Sequence, residues 1–118
     1  MVVEDDPLHL KLYESWLTHA GHYPIMVADE RNAETVAAKH HPDVAIIDVR
    51  LPHINGIDLI RSLKRGNATA TLPIVAVTVL SDWHDEEACV AAGADCFMSK
   101  PVSIFKLTDT ILALTGSA

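Results

Sequence analysis

The chain has 118 residues, 49% of them hydrophobic, and a formal net charge of −7. That length and apolar content suit one domain with a core of its own, over residues 1–118. The acidic balance argues against broad nucleic-acid binding and against attraction to anionic membranes, and every apolar run is too short to span a bilayer.

"MVVE" reads as a first strand. Asp6-Pro7 follows as an N-cap with proline at the first helical position. The helix behind it carries Leu8, Leu12 and Trp16 on one stripe, with Tyr13 and Leu17 beside it, and Gly21 stops it. "YPIMVA" reads as a second strand, and "RNAETVAAKHH" as a helix ended by Pro42. "VAII" is a third strand, and "GIDLIRSLKR" a helix with Ile57, Ile60 and Leu63 on one side. "GNATATLP" is a polar loop and "IVAVT" a fourth strand. "DWHDEEACVAAGA" is a helix with acidic residues in its first turn, where the macrodipole favours them. "CFMS" is a short fifth strand, and "SIFKLTDTILALTG" a last helix capped by Ser103.

The chain opens almost directly on acidic residues, with no signal-peptide pattern, so a cytoplasmic location is expected. Cys89 and Cys96 form no CxxC pair and read as reduced thiols. The seven histidines lack zinc-site spacing and read as surface residues or helix ends.

Five strands alternating with five helices predict an α/β fold, a doubly wound parallel sheet covered on both faces. The continuously apolar strands agree. In such folds the functional crevice lies beyond the C-terminal ends of the strands. The first strand ends in Glu4-Asp5-Asp6, the third in Asp48, the fourth in Thr78 and the fifth in Ser99-Lys100-Pro101. With these strands as neighbours, carboxylates, a hydroxyl and an ammonium converge on one crevice.

Clustered carboxylates repel one another, and a hard divalent cation relieves that repulsion. Mg²⁺ is commonly held by one or two carboxylates plus a phosphate. Lys100 adds a point charge suited to phosphate. A carboxylate can itself be the nucleophile in phosphoryl transfer. Taken singly, Glu4-Asp5-Asp6 reads as a solvated turn, Thr78 as a β-former and Lys100-Pro101 as a loop. Asp48 is harder to dismiss, because a charge directly after an apolar strand needs a partner. The conjunction at four strand ends carries the inference.

At this point the chain resembles a two-component response-regulator receiver domain. The carriers are "VVEDD", "IIDVRLPHINGIDLIRSLK", "LPIVAVT" and "GADCFMSKPV", in order and at the family's spacings. The resemblance implies a flavodoxin-like strand order 2-1-3-4-5 and makes Asp48 the phosphoacceptor. It implies Mg²⁺ held by Asp5, Asp48 and the backbone carbonyl of Arg50, with Glu4 acting through water. Thr78 and Lys100 would bind the phosphoryl group, and Phe97 matches the switch aromatic. The bond before Pro101 is expected to be cis. The implied partners are a histidine kinase or histidine phosphotransfer protein, and a downstream protein or output domain. Such a receiver assists its own phosphorylation without being a turnover enzyme. "LKLYESWL" and "SKPVSIFKL" are similar to DivK-like single-domain regulators of alphaproteobacteria, although a receiver cut from a larger regulator reads almost the same.

Three features depart from the family pattern. Val79 follows Thr78 where alanine or glycine is usual, Phe97 replaces the commoner tyrosine, and only Met1 to Val3 precede the acidic pair. The resemblance implies that the Arg50 and Leu80 side chains border the path of a hydrolytic water, with Val79 adding bulk nearby, and slow loss of phosphate is expected from them. The apolar surplus on the first helix predicts a docking face for the phosphodonor. A haloacid-dehalogenase-like phosphohydrolase needs a second aspartate where Arg50 stands. A flavin module needs a phosphate loop that "EDDPLH" does not supply. The remaining alternative is a receiver-fold interaction module that works without phosphorylation.

Overall fold

The computed structural model describes residues 1–78 and 83–116. Its strands are β1 (Val2–Val3), β2 (Met26–Val27), β3 (Ala45–Asp48), β4 (Ile74–Thr78) and β5 (Cys96–Ser99). Its helices are α1 (Pro7–His19), α2 (Ala33–His40), α3 (Gly56–Arg65), α4 (Trp83–Ala92) and α5 (Ile104–Thr115), with a 3-10 turn over Glu30–Asn32. All neighbouring strands are parallel, in the order β2-β1-β3-β4-β5. This is the doubly wound arrangement expected from the alternation of strands and helices.

Alternation along each strand splits the core in two. Val2, Ile46, Val75, Val77 and Met98 pack with Tyr13 and Leu17 of α1 and with Leu107 and Ile111 of α5. Val3, Ile47, Ile74 and Ala76 pack on the other side against Ala37 of α2, Leu59, Ile60 and Leu63 of α3, and Cys89 of α4. Every strand at the centre is therefore apolar on both faces, which is why the runs read as continuous rather than alternating.

The edges of the elements follow local chemistry. Asp6 caps α1 by accepting from Leu8 N at 2.9 Å, with Pro7 beginning the helix. Asn55 caps α3 through Ile57 N at 2.8 Å. Ser103 caps α5, which ends at Gly116 with φ +70°. β2 is shorter than "YPIMVA" suggests: Pro24 has no N–H, and the strand lies at the sheet edge. Its pairing extends through Val2 N to Ile25 O at 2.8 Å and Glu4 N to Val27 O at 3.1 Å. The helix expected from Arg31 begins instead as the 3-10 turn, capped by Asp29 through Arg31 N. α2 ends at His41 in a left-handed conformation, ahead of Pro42.

The two apolar stripes of α1 separate. Tyr13 and Leu17 are buried, whereas Leu8 is 65% and Leu12 39% exposed. Among the described residues no helix is long and apolar enough to cross a membrane.

Candidate functional site

β3 drives Asp48 into the interior. Ala45, Ile46 and Ile47 anchor the strand in both halves of the core, and Asp48 behind them is only 5% exposed. A buried carboxylate needs donors, and among the described residues it has two. Arg50 N donates to Oδ1 at 3.0 Å, and Lys100 Nζ donates to Oδ2 at 2.9 Å. Lys100 Nζ also donates to Glu4 Oε2 at 3.2 Å. The ammonium from the end of β5 thus bridges carboxylates at the ends of β1 and β3.

Glu4 is buried as well. Its Oε1 accepts from Asp6 N at 3.2 Å and lies 3.5 Å from His9 Nδ1. Asp5 turns outward and is exposed. Thr78 is fully buried at the tip of β4, and its carbonyl accepts from Lys100 N at 2.7 Å. That bond ties the exit of β5 to β4, directly before the cis Lys100-Pro101 peptide. Phe97 is half-buried and packs on the core half that holds α3 and α4. Arg50 is exposed on the β3–α3 loop, beside Asp5 in a cleft of about 550 Å³. The fold therefore brings Glu4, Asp5, Asp48, Thr78 and Lys100 to one end of the sheet, whereas Val79 and Leu80 lie outside the described residues.

The electrostatics follow from this crowding. Burial raises the Glu4 carboxyl above the ordinary glutamate value, and the hydrogen bond and charge of Asp48 raise it further. Burial alone would lower the Lys100 ammonium. The hydrogen bonds and charges of Asp48 and Glu4 outweigh burial and hold Lys100 above the usual lysine value. Below the site, burial and the charges of Glu4 and Asp48 push the Tyr13 phenol up.

Carboxylate oxygens of Glu4, Asp5 and Asp48 all lie within 4.8 Å of one another. Such a set, all hard oxygen donors with neither thiolate nor imidazole among them, fits a hard divalent cation. Two contributions were not foreseen from sequence. His9, expected as a surface residue, reaches Glu4 from the first turn of α1. Gly56 presses its backbone against Asp48 and Val49, with no room for a side chain.

Beside Lys100, α1 and the β5–α5 turn enclose a mostly apolar groove of about 380 Å³, lined by Leu12, Trp16, Pro101 and Val102. The Trp16 ring stands edge-on to Tyr13 with centroids 5.9 Å apart.

Lys100→Met should lower the stability of metal-free protein by about 2 kcal/mol at pH 8. That is less than a fully enclosed pair would lose, because Glu4 can take up a proton. The pH dependence has a definite sign. An acid whose folded pKa is raised binds its proton more tightly when folded. Removing the ammonium raises Glu4 further, so the gap to wild type narrows as pH falls through the variant's raised Glu4 value, while the part owed to the lost Asp48–Lys100 bond remains. Thermal melts in EDTA from pH 8 to 4.5 should show the gap between variant and wild type narrowing. A constant gap across that range would contradict this account.

Residues 1–112 match the family model described as the response regulator receiver domain. The chain is 31% identical to the polar-differentiation response regulator DivK of Brucella ovis, across all of this chain and 96% of that protein. A Chloroflexus aurantiacus structure assigned as a response regulator superposes with a TM-score of 0.92 at 29% identity, covering 98% of this chain and 95% of that one. The receiver domain of a Pseudomonas aeruginosa sensor histidine kinase, solved with a magnesium ion coordinated in its active-site cleft, gives a TM-score of 0.90 at 28% identity. It too covers 98% of this chain and 95% of its own.

Proposed function

The chain belongs to the response regulator receiver-domain family, a family of signalling modules, and from that premise we propose that residues 1–118 act as one phosphorylation-controlled switch with Asp48 as its acceptor. The observation that carries this reading is Lys100 Nζ, held between Asp48 and Glu4 at the strand tips with Asp5 alongside.

A carboxylate oxygen of Asp48 forms the new P–O bond while the donor's bond to phosphorus breaks. With a phosphohistidine donor the leaving group is imidazole; with acetyl phosphate it is acetate. Mg²⁺, when bound, neutralises charge on the transferring oxygens. Asp5, Asp48 and the Arg50 carbonyl would hold it, with Glu4 acting through water as the family resemblance implies. Lys100 supplies the second positive charge, and Thr78 a hydroxyl for the phosphoryl group. The phosphoryl group shifts a two-state equilibrium only by contacting the two states differently. Thr78 provides that difference and Phe97 relays it toward α4, β5 and α5. The protein-borne donor docks on the groove between α1 and the β5–α5 turn, because Lys100 lines both that groove and the acceptor site.

Intact-mass analysis after acetyl phosphate and Mg²⁺ should show one added phosphoryl group, and none in EDTA. Amide NMR signals at Phe97 and Lys106 should move together with those beside Asp48. Leu12→Glu should slow transfer from a phosphohistidine protein about tenfold while leaving acetyl phosphate labelling intact. A protein that takes no phosphoryl group under these conditions would favour the other reading, an interaction module that works unphosphorylated.

A further inference from the structure

We propose that Glu30 is a positioning residue for the metal site: its buried carboxylate fixes the β3–α3 loop, and with it the Arg50 carbonyl. The inference rests on the receiver reading, in which that carbonyl is a metal ligand.

Glu30 lies past the end of β2, in the 3-10 turn, and is 1% exposed. Its Oε1 accepts from two successive loop amides, His53 N and Ile54 N, the latter at 3.1 Å. Hydrogen bonds from backbone N–H to a carboxylate are charge-assisted and strong. Its Oε2 is buried without a hydrogen-bond partner among the described residues. A half-satisfied buried carboxylate costs stability, so core packing does not explain it. An apolar side chain of similar size would fill the space without that cost. What only an acceptor can do at this position is hold the two amides.

The loop needs holding. Near its start, Arg50 N donates to Asp48 Oδ1, and at its end Gly56 N donates to Val49 O at 2.9 Å. Between these points Pro52, His53 and Asn55 are exposed. Glu30 grips the middle from the neighbouring turn. The Arg50 carbonyl belongs to this same short stretch, so its direction depends on both grips. Partners that orient ligands commonly change metal affinity by 10- to 100-fold when removed.

The test uses the full chain and three variants. Mg²⁺ affinity is measured by calorimetry, and amide exchange by NMR in metal-free protein. Glu30→Ala should weaken Mg²⁺ about tenfold. It should also speed exchange at His53 and Ile54 by at least an order of magnitude, with Val75 and Val77 in β4 unchanged. Glu30→Gln keeps an acceptor for both amides and should stay within about twofold of wild type in both readouts. Glu30→Asp keeps the charge but withdraws the acceptor by one methylene, and should behave like Glu30→Ala. It carries the same test should the alanine variant not fold. Wild-type Mg²⁺ affinity in the alanine or aspartate variant overturns the proposal, and so does equal loss in the glutamine variant. General destabilisation, with β4 exchanging faster in step with the loop, also overturns it. A wild type that binds no Mg²⁺ fails the receiver reading itself, a result distinct from any difference among variants.

Discussion

Asp48→Asn is expected to abolish phosphorylation while leaving the fold intact. The carboxamide is isosteric but is not a nucleophile, so labelling by acetyl phosphate should fall at least ~10³-fold. Stability should change little, and the contacts show why. One amide orientation keeps an oxygen for Arg50 N, now 3.0 Å from Oδ1, and turns NH₂ toward the Lys100 ammonium. The other keeps Lys100 and loses Arg50 N. Either way one hydrogen bond is lost, worth about 1 kcal/mol. Against this, Glu4 no longer faces a second buried carboxylate, which is part of what raises its own pKa. The two effects oppose, and the melting temperature in EDTA should stay close to wild type. Mg²⁺ affinity should drop, because one of three clustered carboxylates is gone. A folded asparagine variant that gains a phosphoryl group at the wild-type rate would move the acceptor to another residue.

Much of this arrangement is legible in the sequence, because apolar β-rich runs bounded by Pro, Gly and polar residues mark strands clearly. α3, β4 and β5 begin and end where their patterns do. The strand tips follow, and so does the convergence of Glu4, Asp5, Asp48 and Lys100. Other features are not legible, for identifiable reasons. On α1 the stripe of Leu8, Leu12 and Trp16 is as apolar as that of Tyr13 and Leu17, so pattern alone cannot tell which faces the sheet. Packing decides it: Tyr13 and Leu17 meet Val2 and Ile46, and Leu8 is left outside. Glu30 sits between Asp29 and Arg31, a context that reads as solvated turn. Its burial comes from loop amides that are distant in sequence and carry no side-chain signature. Lys100 suggests a phosphate ligand from its place after β5. Its bridge from Asp48 to Glu4 depends on β1 lying beside β3 in the sheet and on the reach of the side chain, neither of which the residues around Lys100 reveal.

Gly56 shows the same limit at the acceptor itself, and its substitution should have the largest effect on stability. From sequence, Gly56 is a loop glycine at the start of a helix. Helix propensity then favours Gly56→Ala by about 1 kcal/mol. The structure reverses the sign. A Cβ there would lie 2.4 Å from the Asp48 carbonyl oxygen, 2.5 Å from Val49 Cα and 2.8 Å from Val49 O. All three are backbone atoms, so no rotamer change relieves the contact. One response is for α3 to retreat. That breaks the Gly56 N to Val49 O bond and pulls Leu59, Ile60 and Leu63 from the core. The other is for the tip of β3 to move. That breaks Val49 N to Val77 O, now 2.8 Å, and draws Asp48 away from Lys100. Overpacking of this kind costs roughly 1–3 kcal/mol. One or two lost hydrogen bonds add about 1 kcal/mol each. The expected loss is therefore about 1–4 kcal/mol net of propensity, read as a lower urea midpoint at an unchanged slope. The clash falls on the backbone of the acceptor, so the two properties should fail together. At a temperature where the variant stays folded, acetyl phosphate labelling should also be slower. An alanine variant as stable as wild type would show that the β3–α3 junction yields more readily than its packing indicates. Normal labelling in a destabilised variant would assign the strain to α3 rather than to the tip of β3.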